Sequence, residues 1–158
     1  MEQSFLRPSL PAASSRGRIE GLENRLRQAA EAGDADAQCN LGILYDNGLD
    51  DNGRAIDRNR PQAVKWLSAA AEQGLPRAQV RLAEVYAGGP DISGSHTAAC
   101  GWFLLAATGL GGVHLHRAQS GYERIASQLN PTQIAKARIF ARNRAAKRPK
   151  QEATMKRP

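Results

Sequence analysis

The chain has 158 residues, enough for one domain with a core of its own. Hydrophobic residues make up 41% and aromatics only 5%, so the core must come from aliphatic and alanine side chains packed at close range. The net charge of +7 suggests a polyanion partner, but residues 142–158 hold seven of the 22 Lys/Arg against Glu152 alone, and the preceding residues are almost balanced.

The opening stretch, MEQSFLRPSLPAASSRGR, has no basic segment leading into an apolar run and does not read as a secretory leader. Residues 1–15 are expected to be disordered. From there the apolar spacing predicts helices over 18–32, 35–47, 61–73, 76–88, 96–108, 114–128 and 131–145. The alternation that marks strands is missing. No run reaches transmembrane length; GWFLLAATGLGGVHL is short and broken by glycine.

Two of these helices carry one pattern. Gly33, Ala37, Leu41, Gly42, Tyr45 and Gly48 recur as Gly74, Ala78, Leu82, Ala83, Tyr86 and Gly89, 41 residues later. Ala, Leu and Tyr at intervals of four lie along one helical face. The small Gly42 and Ala83 let a neighbouring helix come close, and the glycines punctuate the helix ends. A second pattern fills the intervals. AVKWLSAAAEQG (63–74) and ACGWFLLAATG (99–109) each hold a tryptophan, an Ala-Ala pair and a closing glycine, and LENRLRQAAEAG (22–33) has Leu26 in place of tryptophan. Large and small side chains alternate as helix-on-helix packing requires, so Trp66 and Trp102 are expected in the core. The first interval is longer by five residues, in or near DDNGR (Asp50–Arg54).

A two-helix repeat of this period means a solenoid, because one pair cannot bury its apolar face alone. Residues 22–128 resemble the Sel1-like repeat family, relatives of the tetratricopeptide repeat. The family's Gly-Val after the first helix is absent in both loops. Gly109 opens a third copy that holds Ala118 and Tyr122 one residue late, with Arg117 where leucine would fall; it reads as degenerate and terminal. After it, Asn130 suits an N-cap and Pro131 the first helical turn of a C-terminal capping helix. The fold class is therefore all-α: an α–α superhelix of about three repeats with a capping helix. The solenoid spans 16–146, and a basic disordered tail spans 147–158. The resemblance also points to a bacterial source.

The residues offer little chemistry. Cys39 and Cys100 form no CxxC spacing and read as small buried side chains in a reducing, cytoplasmic setting. His114 and His116 fall on different sides of a helix, and His96 stands apart, so no metal site is expected. DNGLDDNGRAID fails the calcium-loop register, with Gly48 and Asn59 where Asp and Glu are needed; the insertion is expected to be a loop without an ion. GLGG (109–112) lacks the strand and lysine of a phosphate loop. Trp66, Trp102, Tyr45 and Tyr86 could form a ligand-stacking set, but their recurrence at core spacing favours packing. No cofactor is implied, and the chain reads as a non-enzyme.

What remains is surface. The resemblance implies a concave face lined by the first helix of each pair, with partner-binding positions at Asp36, Cys39, Ile43, Asp46, Asn47, Arg77, Val80 and Glu84. It further implies a scaffold or adaptor that binds a partner protein or peptide. The alternative is a binder of nucleic acid or an anionic membrane through the basic tail, which lacks aromatics for base stacking.

Overall fold

A computed structural model describes residues 13–48, 58–88, 93–109 and 112–147. Among them the chain forms seven helices and no strand: α1 (Ala13–Glu31), α2 (Ala35–Asn47), α3 (Arg60–Glu72), α4 (Pro76–Ala87), α5 (Ser93–Ala107), α6 (Gly112–Ala126) and α7 (Pro131–Lys147). The order and nearly all limits match the sequence expectation. The main exceptions are the starts of α1 and α5 and the end of α7. α1 takes in residues 13–15, expected to be disordered. α7 runs through Lys147, the first residue of the expected tail. The rest of both expected disordered segments, and the loop insertion near Asp50–Arg54, lie outside the described residues.

The recurring glycines make one turn twice. Gly33 has φ 95° and Gly74 has φ 91°, the left-handed region where a side chain is strained. At the first turn the Gly33 N–H donates to the Ala30 carbonyl, and the Asp34 N–H to that of Ala29. At the second, Gly74 donates to Ala71 and Leu75 to Ala70. Both are Schellman motifs, which satisfy carbonyls that a helix end otherwise leaves orphaned. The next helix starts at once in each case. Asp34 caps α2 by accepting from the Ala37 N–H at 2.8 Å. Leu75 has no capping side chain, and Pro76 at the first position lacks the donor that would need one.

Neighbouring helices pack in sequence from α1 to α6. The first helices of the pairs, α2, α4 and α6, also touch one another, whereas α1 and α3, and α3 and α5, stand further apart. The stack therefore curves toward the α2–α4–α6 row. Gly42 shows how close the pairs come. A Cβ there would lie 2.6 Å from Leu67 Cγ on α3 and 3.0 Å from its backbone nitrogen. Trp66 packs with Ala37, Leu41 and Leu44 in a first cluster. Trp102 belongs to the larger one with Leu67, Leu82, Phe103 and Leu105. Both tryptophans are buried, as core spacing predicts.

The third copy departs from the other two. Ala118 is buried, and Gly121 accepts the Phe103 ring so closely that a Cβ would meet it at 2.5 Å. α7 packs on α5 and not on α6, its partner by repeat logic. It presses Phe140 against Gly101, where a Cβ would lie 2.5 Å from the ring, and sets that ring edge-on to Trp102 with centroids 5.3 Å apart. Arg144 stacks over both rings and donates to Glu72 of α3 at 2.7 and 3.0 Å, tying the cap back across the stack. The N-cap of α7 is the one expected. Asn130 and Gln133 exchange side chain and backbone hydrogen bonds, both 2.9 Å.

Candidate protein-binding face

The face in question is the inner row, α2, α4 and α6. On α2, residues 36, 39, 43 and 46 share a stripe at intervals of three and four, and residues 77, 80 and 84 do so on α4. The structure turns the middle of each stripe into the core and leaves its ends more open. Cys39 is fully buried and Val80 is 5% exposed. Both belong to the main core, so neither can meet a partner. The expectation fails for these two because the row is closed: the side chains between one first helix and the next fill the seam. Ile43 is half-buried against the same core.

Asp46, Asn47, Arg77 and Glu84 bridge the seams. Asp46 lies 3.7 Å from Arg81 of α4 and 3.8 Å from Arg58. Arg81 also donates to Asn47 at 2.9 Å and to Glu84 at 3.1 Å. Arg77 donates to Asn40 of α2. Glu84 in turn accepts both arms of Arg117 from α6, at 2.6 and 2.9 Å. These bonds, with the Glu84 charge, push the Arg117 guanidinium further up from its already high range, so it stays charged. The position that departs from the leucine of the pattern is thus the group that joins the third copy to the second. Asp36, Asn47 and Arg77 stay exposed on the row.

Sequence reasoning missed Asn40 and Arg81 on this face. The available signal was the pairing of arginines at 77 and 81 with acids and amides about 35 residues earlier, the offset that brings one first helix beside the next. It also missed Gln38 and Gln79. These buried residues stand 41 apart, and each donates its Nε2 to the last-turn carbonyl of the preceding helix, Ala30 at 3.0 Å and Ala71 at 3.1 Å. Tyr45 has a similar bridging role. Its hydroxyl accepts from Arg27 at 2.7 Å and donates to Glu23 at 2.9 Å, which holds α2 to α1.

Both thiols are kept from use. Cys39 and Cys100 are free and buried. Burial pushes both thiols up, that of Cys100 to about 11, so each stays protonated at neutral pH. Among the described residues no group of three His, Cys, Asp or Glu side chains could hold a metal ion. None of the described helices is long and apolar enough to cross a membrane.

Stacked helical pairs, joined by Schellman turns and bridged along one row, define a two-helix-repeat solenoid. The Sel1 repeat family model matches residues 35–75 and 76–109, the two full copies of the pattern, so the chain carries Sel1 repeats there. Among solved structures it is similar to a protective antigen of uropathogenic Escherichia coli that displays an SLR fold, with TM-score 0.67 and 28% identity over 79% of this chain and 25% of that one. A Sel1 repeat protein from Oxalobacter formigenes is 31% identical over 73% of this chain and 96% of its own, with TM-score 0.46. Two Arabidopsis thaliana proteins are also similar. An F-box protein is 44% identical over 43% of this chain, and an ERAD-associated E3 ubiquitin-protein ligase component is 33% identical over 48%. The chain spans 17% and 10% of the lengths of these two relatives.

Proposed function

We propose that the chain is a non-catalytic adaptor that binds another protein through the α2–α4–α6 row. The observation that carries this reading is the row itself. It lies on the inner side of the curve and presents both charge signs, with Asp36, Asn47 and Arg77 exposed along it. Such a surface suits a polypeptide with its own mixed polar groups, held by shape and a few directed hydrogen bonds. The two matched Sel1 repeats and similarity to a ubiquitin-ligase component support the same reading. The non-catalytic part rests on the thiols, which burial keeps protonated. Two free buried cysteines also fit a reducing compartment such as the cytoplasm.

The test uses the full-length chain as bait in an extract of its native host, beside an Asp36→Lys, Arg77→Glu variant. Both residues are exposed, so the fold should survive. A partner captured by the native chain should be lost by the variant, and its capture should change little with moderate salt. A partner retained by the variant but lost on deletion of residues 148–158 would move recognition to the basic tail.

A further inference from the structure

Apart from the inner row, one surface of the molecule has a composition of its own. α7 contains Lys136, Arg138, Arg142, Arg144 and Lys147 and no acidic residue. Arg144 is turned inward, onto Trp102, Phe140 and Glu72. The other four are exposed, and so is Ile139, at 54% the exposed large hydrophobic residue among those described.

Helical geometry orders these groups. Ala137, Ala141 and Arg144 face α5, so the opposite pole of the helix runs through Ala135, Ile139 and Ala146. Arg138 and Arg142 flank that pole on one side, and Lys136 and Lys147 on the other. The result is a narrow apolar ridge between two basic margins. It is convex and lies on the far side of the helix from the packed core.

We infer that this outer face of α7 docks on an anionic lipid surface. Three features select that partner. The charge requires a polyanion. The ridge is convex, which suits a plane and not a peptide, since peptides are held in grooves or at sheet edges. Ile139 stands at the centre of the face, where a phosphate backbone would want a donor. In a bilayer interface the same side chain enters the headgroup boundary while the flanking cations meet anionic headgroups. The surface lies on a different helix from the inner row, so a bound protein and a lipid surface can be held together.

The experiment is co-sedimentation of the full chain with phosphatidylcholine vesicles, with and without phosphatidylserine, in moderate salt. A duplex DNA of random sequence serves as the competing polyanion. Binding is expected only with phosphatidylserine. The Lys136→Gln, Arg138→Gln, Arg142→Gln variant should lose affinity on the order of a hundredfold, since each cation near such a surface adds about fivefold. Ile139→Gln should lose about fivefold on vesicles and nothing on DNA. Far-ultraviolet circular dichroism verifies that each variant keeps its helices. No binding to phosphatidylserine vesicles, or equal binding by the triple variant, overturns the inference. So does an Ile139→Gln variant that binds vesicles as the native chain does, or a preference for DNA over vesicles.

Discussion

A buried amide is stable only when its donors are used, and Gln38 and Gln79 spend theirs on the same carbonyl of the preceding helix. Ala30 and Ala71 already accept from the turn glycines, so the glutamines take the second lone pair. Gln79→Ala should cost about 1–3 kcal/mol through the lost bond and unfilled volume, read as a lower urea midpoint. The tryptophans carry more. Trp66→Ala and Trp102→Ala should each cost about 3–5 kcal/mol, and Trp102→Ala should also free Arg144 from one of its rings. Either change could leave much of a solenoid of about 5–15 kcal/mol unfolded on heating. Cys100 gives the pH dependence. Its thiol, ordinarily near 9, is raised to about 11 by burial, so the folded state holds the proton more tightly. That stabilisation is complete below about pH 9 and is lost as pH rises through about 11. It amounts to about 1–3 kcal/mol. The gap in urea midpoint between the native chain and Cys100→Ala should shrink across that window, in favour of the variant.

At the scale of the element, two glycines differ in why they are needed. Gly33 has φ 95° and open space around a notional Cβ. Gly33→Ala should therefore cost only backbone strain, about 1–2 kcal/mol, with the packing of α1 on α2 unchanged. Gly42 has ordinary helical geometry, but its Cβ would strike Leu67. Gly42→Ala should force α2 from α3 and cost about 1–3 kcal/mol. Gly42→Ala combined with Leu67→Ala should recover part of the Gly42→Ala effect, whereas Gly33→Ala with Leu67→Ala should be additive. The second copy uses Ala83 where the first uses Gly42, so the α4–α5 pair accepts a methyl group that α2–α3 does not.

Across the whole molecule, the bridges along the inner row set how the repeats register, but they are partly exposed. Each should be worth roughly 0–1 kcal/mol, so Arg117→Gln should barely move the melting temperature. The cap is different. α7 covers Gly101 and Trp102 of α5 and reaches α3 through Arg144. Truncation after Leu129 should uncover an apolar face and give aggregation or loss of cooperative unfolding, as expected for a solenoid without its cap. Removal of residues 148–158 alone should leave the melt within about 0.5 kcal/mol of the native chain.

The repeat, its period, the seven helices and the buried tryptophans were all present in the residue spacing, because helical packing imposes a period that one chain must write out in full. The caps at Asn130 and Gly33 were legible for the same local reason. Other features depend on which helix lies beside which. The seam that buries Cys39 and Val80 exists only because α2, α4 and α6 close against one another. Nothing in the local pattern of α2 separates a stripe facing an empty groove from one facing the next helix. Arg117 likewise read as a broken leucine position, and only the approach of α6 to Glu84 makes it a bridge. The placement of α7 on α5 was decided by Phe140, Gly101 and Trp102 meeting across about 40 residues of chain. Sequence determined the elements and their repetition, since those follow from neighbours along the chain. Tertiary structure decided which faces stay exposed, since exposure is a property of what the other helices fail to cover.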